Sequence, residues 1–234
     1  MLVNLPDNYE AFSTLGWDEI EQHCEALLAR PLSAETIHEW LSDWTALAQL
    51  IDETLTRFYV ATTLDTTDEA AEKRYLEYLD KVMTPWRSAE QRLREKLLAS
   101  GIEPDGFAIP LRNMRAAAEL FREANLPLFN EESRLGTEYS KIIGAQTVDW
   151  DGQELTLTQL VPFLQSPDRA LRERAFRTAS ARRLQDSETL NELWVKFLDV
   201  RSQIAANADM PDLRAYVWKG KLRFDYTPED NLRF

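Results

Sequence analysis

Apolar residues recur every three to four positions along most of this chain, the period of a helix with one buried face. The longest stripe runs through Ile37, Trp40, Leu41, Trp44, Leu47, Ala48, Ile51, Leu55, Phe58 and Thr62, with Ser33 as its expected N-cap. A shorter stripe from Trp17 to Arg30 precedes it and stops at Pro31. After the polar segment Leu64-Asp65-Thr66-Thr67-Asp68, a second long stripe carries Tyr75, Leu79, Val82, Trp86, Ala89, Leu93 and Leu97, and Gly101 closes it. Pro85 should bend this helix, because its ring removes one backbone bond and clashes with the carbonyl four residues back. At about 1.5 Å per residue each arm spans roughly 40 to 50 Å. The short turn between them predicts an antiparallel hairpin long enough to project from a globular body. Trp40, Trp44, Phe58 and Trp86 are expected to fill its seam, whereas Tyr75 and Tyr78 straddle the seam within reach of a groove.

Further on, the segments 111–124 and 130–143 read as helices, the latter with Asn130 as cap and Glu131-Glu132 in its first turn. The period then changes. Two short extended runs, 145–150 and 153–157, flank Asp151-Gly152, a dipeptide suited to the positive φ angles of a two-residue hairpin turn. A lone hairpin is marginal in water, so it must pack on something. Ser166 reads as the cap of another helix with Pro167 at its first position, and this helix carries Arg169, Arg172, Arg174, Arg177, Arg182 and Arg183. These arginines wrap more than one face, and a solvated surface paired with nearby acids is the expected arrangement rather than an anion site. Leu190, Leu193, Trp194, Phe197, Val200 and Ile204 mark a further amphipathic helix ending near Asn207 and Pro211. A short helix over 212–218 follows. The expected fold is mostly α, a multi-helix array with a long antiparallel helical hairpin and one small β-hairpin. It divides into helical regions at 1–107 and 108–234.

Thr227-Pro228-Glu229-Asp230 is a strong helix start, yet only Asn231, Leu232, Arg233 and Phe234 follow it. A helix that short does not repay its nucleation cost. The expectation is therefore a front portion of a longer protein, cut inside an element; the alternative is a frayed native terminus.

Composition narrows the function classes. A hydrophobic fraction of 44% and a charged fraction of 29% are those of a globular protein that needs no metal or disulfide staple. The 27 basic and 40 acidic residues leave a net charge of −13, which argues against nucleic acid or an anionic membrane as partner. Cys24 is the single cysteine, the first ten residues lack a signal-peptide pattern, and no run approaches the ~20 apolar residues of a membrane span. The expected location is the cytoplasm.

Chemistry-bearing motifs are scarce. His23 and His38 are the two histidines, neither with a second histidine at a metal-binding spacing, and Cys24 points to a different helix face from His23. The chain has no H-E-x-x-H, G-x-S-x-G, phosphate-binding glycine loop or dinucleotide fingerprint. No catalytic, cofactor-binding or metal-binding residue is assigned.

From Trp150 onward several stretches stand out in order: Asp151-Gly152-Gln153-Glu154-Leu155-Thr156-Leu157 with Leu160, and Ser166-Pro167-Asp168-Arg169 with Arg172. They continue in Arg201, Ile204-Ala205 and Asn207, then Asp212-Leu213-Arg214-Ala215-Tyr216. The most specific is Arg223-Phe224-Asp225-Tyr226-Thr227-Pro228-Glu229-Asp230. In these stretches the chain resembles the oligoendopeptidase F family, thimet-oligopeptidase-like zinc metallopeptidases. Gly220 departs from the helix expected around it. The resemblance implies a helical enzyme with a deep channel between an N-terminal region and a catalytic region. In that region two histidines and a glutamate hold zinc, and the glutamate of the H-E-x-x-H motif activates water. None of those residues lies in this chain. The implied role is the N-terminal, non-catalytic wall of the channel, with the C-terminal catalytic domain as partner and short peptides as substrates of the parent. The alternative is a standalone helical module that binds a peptide or protein.

Overall fold

The computed structural model describes residues 2–234. Asn8 accepts the Ala11 N–H through its side chain at 3.0 Å and caps a first short helix, α1 (Tyr9–Phe12). α2 (Trp17–Ala29) opens with Glu19 reaching back to the Gly16 N–H and ends as expected before Pro31, where Arg30 turns extended. α3 (Ile37–Leu64) starts one turn later than the sequence pattern implied. Thr36, not Ser33, is its N-cap residue; the Ser33 hydroxyl is held by Glu35 at 2.6 Å, and its carbonyl accepts from the Ile37 N–H. Asp68 caps α4 (Glu69–Tyr78) by accepting from the Ala70 and Ala71 N–H groups.

α3 and α4 form the expected hairpin. Tyr59 meets Tyr75 and the Ile51 carbonyl meets the Tyr78 hydroxyl, so positions rise on one arm as they fall on the other. Trp40, Trp44 and Trp86 are buried in its core, with Trp40 and Trp44 edge-to-face at 5.3 Å. Tyr75 and Tyr78 are buried with them: Phe58 stands edge-on to Tyr78 at 5.3 Å, and the Tyr78 hydroxyl donates to the Ile51 carbonyl. α1 and α2 also pack on the hairpin, while Tyr59, Val60 and Leu64 toward its tip remain exposed. Lys96 and Trp40 close the far end of α2: the Lys96 ammonium donates to the carbonyls of Leu27, Leu28 and Arg30, and the Trp40 indole donates to Leu27 at 2.9 Å.

The second arm is not one α-helix. Between α4 and α5 (Thr84–Ser100) lies a π-turn (Leu79–Met83) in which the Thr84 N–H reaches back five residues to the Leu79 carbonyl. Pro85 follows at the first turn of α5, so the two common causes of a helix kink coincide here. The Leu79 carbonyl also accepts from the Thr84 hydroxyl at 3.1 Å.

That turn receives the next layer. α6 (Ala108–Leu120) packs on α5, a 3-10 turn (Glu123–Asn125) follows, and α7 (Leu126–Gly144) then runs back along α4. Asn130 is therefore not a cap. It is buried in the second turn of α7 and donates to the Leu79 carbonyl (3.3 Å), Asp80 (2.9 Å) and the Thr84 hydroxyl (2.7 Å). Arg134 grips both Asp80 oxygens at 2.8 and 2.6 Å, and Lys141 pairs with Glu72 at 2.5 Å. Gly144 ends the helix against the hairpin tip, where a Cβ would stand 2.7 Å from the Thr66 hydroxyl.

The antiparallel strands β1 (Thr147–Trp150) and β2 (Gln153–Thr156) form as expected, with Asp151 and Gly152 both at positive φ. They lie on α9 (Arg169–Gln185), behind the short α8 (Val161–Leu164); Trp150 buries against Leu160, Ala175 and Ala179. α10 (Ser187–Asn207) packs on α7 through Leu135, Leu193, Val200 and Ile204. Asp212 caps α11 (Leu213–Gly220), and Gly220 is its last residue. Thr227 and Asp230 form a reciprocal capping box for α12 (Pro228–Arg233). The whole is 72% helical.

Replacing Asn130 by Ala removes the two amide N–H donors that these three acceptors share. Asn130→Ala should lower the unfolding free energy by about 2 kcal/mol in urea titrations. Asn130→Asp should cost more, since it sets a carboxylate against Asp80 and the Leu79 carbonyl. A loss below about 0.5 kcal/mol for both variants, the level of an ordinary surface change, would refute the structural weight given to this contact.

Candidate interaction surface

The sequence assigned no catalytic, cofactor or metal residue, and the titratable groups it singled out are dispersed. His38 is exposed beside the Phe107 ring, and His23 is half-buried on α2, where burial lowers its pKa. Cys24 is fully buried, and burial, with Glu21 and Glu25 adding to it, pushes its thiol up to about 12. Among the described residues no group of three or more His, Cys, Asp and Glu is arranged to hold a metal ion.

Nor do the arginines of α9 gather into an anion site. Arg174 straddles the Trp150 ring and pairs with Asp151, Arg177 pairs with Glu173, and Arg182 bridges Asp186 and the Ala145 carbonyl. Arg172 donates to the carbonyls of Ser166 and Pro167, which ends the loop before α9. These are the local pairings expected of a charged surface, with Arg174 and Arg172 also fixing the β-hairpin and its connection.

An open aromatic groove runs instead between α7 and α10. Its two adjoining hollows, about 610 and 400 Å3, share Tyr139 and Leu190. The larger reaches Ile143, the β2–α8 connection and Arg183; the smaller is floored by Leu193 and walled by Trp194 and Phe197. Arg201 closes its end, held by Glu132 at 2.6 Å with its guanidinium 4.7 Å from the Phe197 ring centre. Tyr139 and Trp194 are about half exposed, at 49% and 54%, and Val195 and Leu198 beside them at 55% and 39%.

The sequence reading placed Trp194 and Phe197 on the buried face of α10 with Leu193 and Val200. Leu193, Val200 and Ile204 form that face with Phe197 packed partly buried against it; Trp194 is turned outward. The available signal was the width of the apolar band. Leu190, Leu193, Trp194, Val195, Phe197 and Leu198 cover more of the helix than one packing partner occupies. Contiguous exposed apolar surface of this kind marks an interaction site.

Comparison with known proteins agrees with this architecture. Residues 9–105, from α1 to just past α5, match the Peptidase M3 N-terminal domain. The fold matches a crystal structure described as oligoendopeptidase F, with a TM-score of 0.82 and 21% identity over 93% of this chain and 40% of the other. PZ peptidase A with an inhibitor aligns at 0.84 and 21% identity over 95% and 42%. An oligoendopeptidase F described from Bacillus anthracis str. Ames aligns at 0.76 and 18% over 92% and 41%. The chain resembles the N-terminal region of the oligoendopeptidase F family. No curated protein sequence matches it. It spans about two fifths of the length of the solved structures it resembles. Among the described residues, no helix is long and apolar enough to cross a membrane.

Two measurements follow from this geometry. The Cys24 thiol should resist a thiol-specific reagent at pH 8 in the folded chain and react at once in denaturant. Because the fold favours the neutral thiol, its contribution to stability should be complete below the unfolded pKa of about 8.5 and should fall as pH rises toward 12. Rapid labelling of folded protein would contradict the burial. For the groove, Trp194→Glu with Leu198→Glu should cut the fluorescence of a bound hydrophobic dye several-fold while the melting midpoint barely moves. Unchanged dye binding would mean that the exposed apolar surface lies elsewhere.

Proposed function

We propose that this chain is the N-terminal, non-catalytic portion of a zinc metalloendopeptidase that hydrolyses short oligopeptides, and that it forms one wall of the substrate channel. The observation that carries the reading is the coverage of the fold match. Nearly all of this chain aligns with two fifths of the oligoendopeptidase F structures, and it holds no H-E-x-x-H. In this reading the regions 1–107 and 108–234 serve as scaffold, and no residue here is catalytic or binds the metal. Zinc and the glutamate that activates water belong to the C-terminal catalytic domain, the partner of this chain. The wall contributes exclusion: a folded protein does not fit a channel closed on one side by packed helices, whereas an extended peptide does.

The groove between α7 and α10 is assigned to the face that meets the catalytic portion. Its centre is aromatic and its end carries a guanidinium already paired with Glu132, the composition of an interface core with a polar rim. The net charge of −13 and the compact helical build fit a cytoplasmic enzyme that acts on peptides rather than nucleic acid or membrane.

Sequencing the coding DNA past the Phe234 codon tests the reading directly. An open frame of several hundred codons with an H-E-x-x-H motif is the expected result, and a stop codon at that point would overturn it in favour of a standalone binding module. In parallel, the 234-residue chain supplied with zinc should leave a quenched fluorescent oligopeptide intact. Chelator-sensitive turnover by this chain alone would contradict its non-catalytic role.

A further inference from the structure

A separate cavity, about 260 Å3, lies where α5, α6, α7 and α11 converge, away from the groove on α10. Its walls are mostly apolar, formed by Ala117, Leu120, Phe129 and Leu222, with Tyr216 opposite Arg87. Arg87 is its distinctive member. The other arginines of α5 are paired: Arg92 with Glu25 at 2.8 Å, and Arg94 with Glu90 at 3.2 Å and with the Gln91 amide oxygen at 2.6 Å. Arg87 has no carboxylate within ion-pair distance among the described residues. Its single hydrogen bond is a long one, 3.4 Å to the Asn130 amide oxygen, and its guanidinium stands over the Phe129 ring at 5.2 Å.

A half-buried guanidinium with most of its five donors unused is an expensive arrangement unless an anion completes it. Burial lowers the Arg87 pKa, the sign expected of a cation short of compensating charge. Glu90, the carboxylate on the cavity wall, is itself raised by burial and is engaged by Arg94. The rim carries a further irregularity. Leu222 adopts φ 56, a left-handed conformation rare for leucine, and this places its side chain on the cavity wall.

We propose that this cavity binds a carboxylate carried on an apolar body of about one residue's size, with Arg87 gripping the carboxylate and Phe129, Leu120 and Leu222 enclosing the body. The volume falls below the ~300 Å3 at which pockets begin to take drug-sized ligands, so it suits a single acyl amino acid or small aryl acid rather than a long peptide. Planar, two-pronged recognition of carboxylate is what an arginine does and a lysine does not. The inference does not rest on the proposed peptidase role, since the cavity lies wholly within this chain.

The test titrates the 234-residue chain with N-acetyl-L-phenylalanine and, separately, with N-acetyl-L-phenylalaninamide, which differ at the carboxylate alone. Calorimetry or ligand-observed NMR should show saturable binding of the acid and at least tenfold weaker binding of the amide. Arg87→Gln should weaken the acid by about tenfold or more, the worth of a charge-assisted pair. Ala117→Met, which fills the cavity and keeps the guanidinium and its Asn130 contact, should abolish binding without lowering the melting midpoint. It keeps the test valid if Arg87→Gln fails to fold. Equal affinity for acid and amide, no saturable binding of the acid, or an affinity indifferent to Ala117→Met would overturn the proposal.

Discussion

The architecture of the C-terminal half depends on how Asn130 seats on the π-turn. A proline in a long helix leaves local backbone groups without regular partners, and here the irregularity is turned into a docking point. The Leu79 carbonyl collects the Thr84 N–H, the Thr84 hydroxyl and the Asn130 amide, and Asp80 is presented to Asn130 and Arg134 together. With that end fixed, Lys141–Glu72 and the close approach of Gly144 to Thr66 hold α7 along the arm as far as the hairpin tip. α7 in turn positions α10. α10 packs on it directly, and Asn125, fully buried at its start, donates to the Ile204 carbonyl while accepting from Asn207. At its far end, Gln146 and Arg182 converge on Asp186, which ties the β-hairpin and α9 to the start of α10. Burial makes these bonds consequential: an unmade bond in a dry contact costs the full desolvation of its group.

Much of this was legible in the sequence because the period of the apolar residues is a local signal. The hairpin of α3 and α4, the Trp-filled seam, the Asp-Gly turn and the cap at Thr227 each follow from residues a few positions apart, whereas the cap of α9 falls at Asp168 and not at Ser166. What escaped needed a distant partner. Asn130 followed by two glutamates has every local mark of an N-cap. It lies inside α7 because the Asn125 turn starts the helix earlier and the π-turn, some fifty residues back, absorbs the amide. The π-turn itself is invisible to a periodicity argument: Tyr75, Leu79, Val82 and Trp86 keep helical spacing through it. Ser33 is not the N-cap residue of α3: its N–H donates to the Thr36 hydroxyl and its own hydroxyl to Glu35, and the helix starts a turn later.

The same limit explains why the candidate surfaces were not legible. A pattern of apolar residues shows that a face is hydrophobic and does not show whether anything covers it. Trp40 and Trp194 sit in equally convincing stripes, yet Trp40 is sealed against α2 while Trp194 faces solvent. Arg87 reads as one more charge on α5 beside Arg92 and Arg94. Only the packing of α6, α7 and α11 shows that its neighbours are paired and it is not.

The two halves of the chain differ in how completely they satisfy themselves. The N-terminal half encloses one large core, from Phe12 through Trp40, Tyr78 and Leu97 to Leu111, with the open end of α2 closed by a lysine and a tryptophan. The C-terminal half is built around two small clusters, one at Leu135, Leu193, Val200 and Ile204 and one at Trp150, Leu160, Ala175 and Ala179. A helix that needed only α7 as partner would gain solubility from polar residues at 194, 195 and 198; α10 instead carries Trp, Val and Leu there, at a cost of order 25 cal/mol for each Å2 of apolar surface left in water. That surface on α10, and the unpaired guanidinium of α5 beneath α11, are deficits of opposite chemistry. Local packing relieves neither, so the anchored α4–α7 frame is best understood as a rigid support that holds both of them in fixed positions for something outside the described fold.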